Sequence, residues 1–140
     1  MNAPVVLHVE DDPNDRLILS ILFKKTAAEV DLRTAADGAE AVDYLAGRGA
    51  YADRSRHPLP RLVILDLKLP KMNGFEVLAW ARSRPTLQDV PIIVLSSSQE
   101  KKDVQRAFEL GANSYLVKSV DMASMREIVK GLVELARLSP

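Results

Sequence analysis

The feature that most constrains the fold of this chain is an alternation of short apolar segments with segments of helical periodicity along its whole length. Five segments of each kind follow one another, which is typical of an α/β protein with a doubly wound parallel sheet and right-handed crossovers. The predicted strands are residues 4–9, 31–35, 62–65, 91–96 and 114–118, and the predicted helices are 13–28, 38–46, 75–83, 100–110 and 121–138. The charge-free third and fourth strands fit the doubly covered centre of such a sheet.

Length and composition limit the organisation and the possible partners of the chain. Its 140 residues fit one domain, so we expect a single domain over residues 1–140 with no output domain. The 19 basic and 19 acidic side chains balance, which argues against nucleic acid and anionic membranes as partners. Cysteine is absent, and no signal peptide or membrane span is recognisable, so a cytoplasmic location is the default expectation.

Polar residues stand where the predicted strands end. Glu10 and Asp11 follow the first strand, and Asp66 follows the apolar run of the third. Ser96 ends the fourth strand and Lys118 the fifth. Because the carboxyl ends of parallel strands meet at one edge of the sheet, these side chains are expected to share one site.

Three clustered carboxylates need a positive charge that one lysine does not fully supply. At a separation of 4 Å each pair repels by about 4 kcal/mol at an effective dielectric constant of about 20. The ligands on offer are hard oxygens, which favour Mg²⁺, with Mn²⁺ as an alternative. A divalent cation beside Asp66 indicates phosphoryl transfer in which this carboxylate becomes an acyl phosphate, while Lys118 and Ser96 contact phosphate oxygens.

These residues resemble the site of the receiver domain of bacterial two-component response regulators, and the resemblance extends from residue 5 to about residue 138. It implies a flavodoxin-like receiver fold with strand order 2-1-3-4-5. It also implies that Asp66 is the phosphoacceptor and that Lys118 contacts the phosphate. For the metal ion, it implies that Asp11 is a direct ligand, Glu10 a ligand through water, and the backbone carbonyl of Lys68 a further ligand. Ser96 and Tyr115 are implied to be the switch residues. The chain departs from the family pattern at Ser119, where receivers usually have a cis proline, and at Glu10, where aspartate is more frequent.

The resemblance implies a phosphorylation switch rather than an enzyme that acts on separate substrates. The expected donor is a sensor histidine kinase or a phosphotransfer protein, and stand-alone regulators paired with phytochrome-type kinases are similar to this chain. The output surface would be helix four, strand five and helix five, which would bind a protein target or a second copy. Two alternatives stay open: a receiver-like interaction module that is never phosphorylated, and a small Mg²⁺-dependent phosphatase, although Lys68 stands where such phosphatases carry a second aspartate.

Two further predictions concern apolar surfaces and buried polar groups. In the first helix, the stripe of Ile18, Ile21 and Leu22 is predicted to face the sheet. Leu19 and Phe23 would then form an exposed patch that docks the kinase. His8, inside the first strand, is interpreted as a hydrogen-bonded histidine of the core or the sheet edge, without a phosphate role.

Overall fold

The computed structural model describes residues 3–138, and its elements alternate as the sequence predicts. The strands are β1 (Val5–Val9), β2 (Asp31–Ala35), β3 (Leu62–Leu65), β4 (Ile92–Ser96) and β5 (Ser114–Val117). The helices are α1 (Pro13–Thr26), α2 (Gly38–Ala46), α3 (Gly74–Arg82), α4 (Lys101–Glu109) and α5 (Met122–Leu138). All strand pairs are parallel and their order is β2-β1-β3-β4-β5, which confirms the predicted fold class.

The sheet separates two apolar cores. Helices α2, α3 and α4 cover one face, where their small and branched residues pack on alternate positions of β1, β3 and β4. Helices α1 and α5 cover the other face. Every residue of β1, β3 and β4 is buried, as expected for strands that are covered on both sides. Within residues 3–138, no helix is both long and apolar enough to cross a membrane.

The prediction for the inner face of α1 is wrong in part: Leu22 is buried and Ile18 packs against the core as predicted, but the other three residues are placed differently. Leu19 and Phe23 are each 1% exposed and pack in the core, whereas Ile21 is 40% exposed. The apolar residues of this helix form two overlapping stripes with the same three- and four-residue spacing, so periodicity does not choose between them. Leu19, Leu22 and Phe23 all face the core, whereas Ile21 and Lys25 lie on the exposed side of the helix, where the ammonium of Lys25 stays in water.

The segment between α2 and β3 is held by one arginine. The Arg54 guanidinium donates hydrogen bonds to the carbonyl oxygens of Tyr44, Leu45 and His57, at 2.8 to 2.9 Å. The rings of Tyr44, Tyr51 and His57 pack against one another with centroid separations of 5.0 to 6.1 Å. This segment is therefore fixed to the end of α2 by hydrogen bonds and aromatic contacts.

The loop after Asp66 is packed tightly against the start of α3. Gly74 begins this helix, and its N–H donates to the carbonyl oxygen of Leu67 at 2.9 Å. A Cβ atom at residue 74 would lie 2.3 Å from the carbonyl oxygen of Asp66 and 2.6 Å from the Cα of Leu67. Because both neighbours are backbone atoms, only glycine permits this approach.

Two glycine substitutions should therefore have opposite effects. Gly74→Ala should lower the free energy of unfolding by about 1–3 kcal/mol, because the backbone around Asp66 must move to make room. Gly131→Ala, in the middle of α5 with open space around the added Cβ, should raise it by about 0.5–1 kcal/mol through helix propensity. Urea denaturation of both variants measures the difference, and equal stability of the two would contradict the packing argument.

Candidate functional site

The register of β1 and β3 brings the first two acids together. Val9 and Leu65 are paired, so the residues that follow them, Glu10 and Asp66, leave the sheet side by side. The N–H of Asp66 donates to the carbonyl oxygen of Val9 at 3.1 Å, and the N–H of Glu10 donates to that of Ala35 at 2.9 Å. Parallel pairing thus continues to the end of the strands and fixes the backbone beneath both carboxylates.

The same register places the serine and the lysine at this edge. Ser96 ends β4 and is completely buried. The N–H of Lys118, the residue after β5, donates to the carbonyl oxygen of Ser96 at 2.9 Å. No cis peptide bond occurs within residues 3–138, so the bond between Lys118 and Ser119 is trans.

The ammonium group of Lys118 is the centre of the cluster. Its Nζ donates to Glu10 Oε1 at 2.6 Å, to Asp15 Oδ2 at 2.8 Å and to Asp66 Oδ2 at 3.1 Å. An ammonium has three N–H donors, and all three are used here. The other carboxylate oxygen of Asp66 accepts a hydrogen bond from the N–H of Leu67 at 2.7 Å, so both of its oxygens have partners.

Burial and charge shift the protonation of this cluster. Loss of hydration raises the pKa of Glu10 to about 7, and the negative charge of Asp66 adds to the rise, although the hydrogen bond from Lys118 opposes it. For Lys118, burial alone would lower the pKa. The hydrogen bonds to Asp15 and Glu10 and the attraction of Asp66 outweigh burial, so that its pKa is raised above the usual lysine value. The lysine is therefore fully charged near neutral pH, whereas Glu10 is close to its midpoint.

Glu10, Asp11 and Asp66 form a group that suits a hard divalent cation. Each offers a carboxylate oxygen, and these oxygens lie within 4.8 Å of one another. Asp11 is exposed, whereas the other two acids are buried, so the group opens to solvent on one side. Lys68, two residues after Asp66, has an exposed side chain, and its carbonyl oxygen as a further ligand stays a prediction.

The serine and the tyrosine of the predicted switch are linked through one residue. Ser96 Oγ accepts a hydrogen bond from the N–H of Ser98 at 3.1 Å. The hydroxyl of Tyr115, which is half-buried on β5, donates to the carbonyl oxygen of Ser98 at 2.8 Å. The side chain of Ser98 donates in turn to Asp103 in the first turn of α4 at 2.6 Å. Ser98 therefore connects the site to both β5 and α4.

His8 lies in the core as predicted, but without all of its hydrogen bonds. It is 2% exposed, and its buried Nδ1 has no partner within the described residues. Burial, together with the charges of Lys118 and Arg16, lowers the pKa of His8 to about 3, so the ring is neutral. The ring lines a largely apolar cavity of about 240 Å³ beside the cluster. The other residues that line the cavity are Glu10, Asp15, Ile18, Leu19, Leu95, Lys118, Ser119, Val120, Met122 and Met125.

Two residues of the site were not predicted from the sequence. Asp15 is one of the three acceptors of Lys118, and Arg16 donates through Nη1 to the carbonyl oxygen of Glu10 at 2.7 Å. An acid in the first turn of a helix is common because it interacts favourably with the helix dipole, so Asp15 gave no distinctive signal. Asp15 becomes a partner of the lysine only in the folded chain, where the side chain of Lys118 reaches the first turn of α1.

Known proteins share this fold and arrangement. Residues 6–130 match the response regulator receiver domain family. Response regulator Rcp1 of Synechocystis sp. is 36% identical over 132 residues, which cover 94% of this chain and 88% of Rcp1. The crystal structure of the phosphorylated cyanobacterial phytochrome response regulator RcpA superposes with a TM-score of 0.88 at 35% identity, covering 96% of this chain and 94% of RcpA. That of the Mn²⁺-bound form of Rcp1 superposes with a TM-score of 0.82 at 35% identity, with coverage of 92% and 91%.

The match covers all of the sheet except Val5, and it includes each of the polar residues at the strand ends, from Glu10 to Lys118. The chain therefore belongs to the response regulator receiver domain family, and its relatives include response regulators of phytochrome systems. Receiver domains bind Mg²⁺, and the acidic group of this chain has the ligand chemistry for such an ion.

Proposed function

We propose that this chain is a single-domain response regulator that accepts a phosphoryl group on Asp66 from a sensor histidine kinase or a phosphotransfer protein. The observation that supports the proposal best is the position of the Lys118 ammonium, 3.1 Å from Asp66 Oδ2 and beside an acidic group that suits a divalent cation. An oxygen of Asp66 attacks the phosphorus of a phosphohistidine, the P–N bond breaks, and its electron pair returns to the imidazole ring.

The residues around Asp66 have separate tasks in this proposal. Lys118 pairs with a phosphoryl oxygen, and Ser96 donates a hydrogen bond to another. Glu10, Asp11, Asp66 and the carbonyl oxygen of Lys68 would hold Mg²⁺, which when bound would supply positive charge for the oxygens of the phosphoryl group. The N–H of Leu67 holds the carboxylate of Asp66 in one orientation. The chain thereby assists its own phosphorylation and dephosphorylation without turning over a separate substrate.

The output is proposed to pass through Ser98. When Ser96 turns toward the phosphoryl group, its hydrogen bond from the N–H of Ser98 is lost. The loop then shifts the carbonyl oxygen that holds Tyr115, and Tyr115 turns inward. The surface of α4, β5 and α5 changes in consequence, and Phe108 on α4 is 47% exposed there. This surface would bind a protein target or a second copy, in the cytoplasm where the donor domain of the kinase lies.

Replacement of the proposed phosphoacceptor tests the central step. Asp66→Asn should take up no phosphoryl group from acetyl phosphate in the presence of Mg²⁺, because an amide oxygen is a poor nucleophile. Asp43→Asn removes an exposed acid from α2, whose nearest cation, Arg48, is 4.0 Å away, and it should label like the wild type. Intact-protein mass spectrometry measures the added phosphate. Full labelling of Asp66→Asn would overturn the assignment, and an unlabelled wild type would favour the interaction module that is never phosphorylated.

Mg²⁺ affinity should depend on pH through Glu10. Since the pKa of Glu10 is raised to about 7, the carboxyl is protonated below that pH and its proton competes with the cation. The dissociation constant should rise by about tenfold per pH unit as the pH falls below 7, and should level off above it. Titration calorimetry between pH 5.5 and 8.5 measures this profile. Glu10→Gln should bind more weakly but without this slope, and a flat wild-type profile would refute the role of Glu10.

The kinase-docking surface of α1 is revised from the structure. Leu17 and Ile21, one turn apart, are 59% and 40% exposed, and α1 begins at the edge of the sheet where Asp66 lies. The loop after Lys118 adds Val120, which is fully exposed, and α5 adds Met122, which is 42% exposed. We propose that these apolar side chains receive the helix that carries the phosphohistidine.

A double variant separates docking from chemistry. Leu17→Ser with Ile21→Ser should slow phosphotransfer from a phosphorylated phytochrome-type sensor kinase by about 5- to 30-fold, since about 1–2 kcal/mol of binding energy is lost. Uptake from acetyl phosphate should stay at the wild-type rate, because this donor needs no docking surface. Phe108→Ser on α4 is the matched control and should transfer normally from the kinase. Equal kinase rates in all three proteins would place the docking surface elsewhere.

A further inference from the structure

Asp15 differs from the other two acceptors of Lys118. Glu10 and Asp66 belong to the group of carboxylates that suits a cation, and Asp66 is also the proposed phosphoacceptor. Asp15 lies outside that group, yet its Oδ2 is 2.8 Å from the ammonium. Of the three contacts that hold Lys118, only the one to Asp15 is therefore free of any other task.

The backbone of Asp15 is held in place by the cap of α1, independently of the contact with Lys118. Asp12 caps the amino terminus of α1, and its Oδ1 accepts hydrogen bonds from the N–H groups of Asn14 and Asp15, at 2.8 and 3.4 Å. The first turn is thus held in place. From there the carboxylate of Asp15 reaches the ammonium, and its side chain is 37% exposed whereas that of Glu10 is 1% exposed.

The other two contacts must change when the site works. A cation competes with Lys118 for the oxygens of Glu10, and phosphorylation converts the carboxylate of Asp66 into an acyl phosphate. Lys118 would then keep one carboxylate partner while one of its N–H groups turns to a phosphoryl oxygen. An ammonium on a flexible four-carbon chain does not hold such a position without an anchor.

We propose that Asp15 is a positioning residue that anchors the Lys118 ammonium beside Asp66 throughout phosphorylation. This inference rests on the proposed function, because it assigns Asp15 a task in phosphoryl uptake at that site. Asp15 does not contact the transferred group; it acts through Lys118. Its effect is to keep the positive charge in place when Glu10 and Asp66 take other partners.

The test compares Asp15→Ala, Asp15→Asn and Asp15→Glu with a matched control, Asp12→Asn. The control removes one negative charge from the same turn, retains a good helix cap and does not touch Lys118. Uptake of phosphate from acetyl phosphate with saturating Mg²⁺ should fall about tenfold in Asp15→Ala, as expected for the loss of a charge-assisted hydrogen bond. It should fall less in Asp15→Asn, recover in Asp15→Glu and stay near the wild-type rate in Asp12→Asn.

A second readout reports the position of the lysine directly. The ammonium protons of Lys118 should give a slowly exchanging NMR signal in the wild type and in Asp12→Asn, and this signal should broaden in Asp15→Ala. Uptake and signal in Asp15→Ala that match those of Asp12→Asn would overturn the inference. If the wild type takes up no phosphate, the proposed function fails, and the ammonium signal alone then decides whether Asp15 positions the lysine.

Discussion

The ion cluster around Lys118 is the interaction on which the site depends. Four strand ends meet at one edge of the sheet, and without a cation the carboxylates of Glu10 and Asp66 would repel each other in a place where water is mostly excluded. Glu10 is 1% exposed, and the partly buried ammonium of Lys118 offsets only part of the cost of its burial. The rest of this cost is not offset, and the pKa of Glu10 is raised as a result. A site with this residual negative charge attracts a divalent cation, and for the same reason it also binds protons.

The fold and most of the site could be predicted because they follow from backbone rules. Parallel strands end at one edge, so Glu10, Asp66 and Lys118 had to converge once the strands were identified. What could not be predicted depends on how helices rotate against the sheet. Two overlapping apolar stripes in α1 left its inner face undecided, and the partnership of Asp15 with Lys118 depends on that same rotation.

The polar contacts within loops could not be predicted from the sequence either. Arg54 is one of several arginines between α2 and β3, and its guanidinium binds three carbonyl oxygens at once. No spacing rule connects a loop arginine to carbonyl groups nine or ten residues away. The strand pattern placed His8 correctly but did not reveal that its Nδ1 has no hydrogen-bond partner among residues 3–138.

The two sides of the site differ in how freely they can move. The loop after Asp66 is confined by close backbone contacts: a Cβ at Gly74 would meet the carbonyl oxygen of Asp66, and a Cβ at Gly38 would meet that of Met72 at 1.8 Å. Lys71 in this loop has a φ of 66°, a conformation that costs a residue other than glycine about 1 kcal/mol or more and persists only where packing enforces it.

On the opposite side, Ser98 holds Ser96, Tyr115 and Asp103 through single hydrogen bonds. Each such bond contributes about 0.5–1.5 kcal/mol net, and more where a charged carboxylate accepts. One new contact between a serine hydroxyl and a charged phosphoryl oxygen is comparable in strength with the bonds it would replace. Phosphorylation can therefore rearrange the hydrogen bonds of Ser98. The loop after Asp66, in contrast, is held by close backbone contacts that leave it no room to move. A chemical change at Asp66 is in this way directed toward β5 and α4.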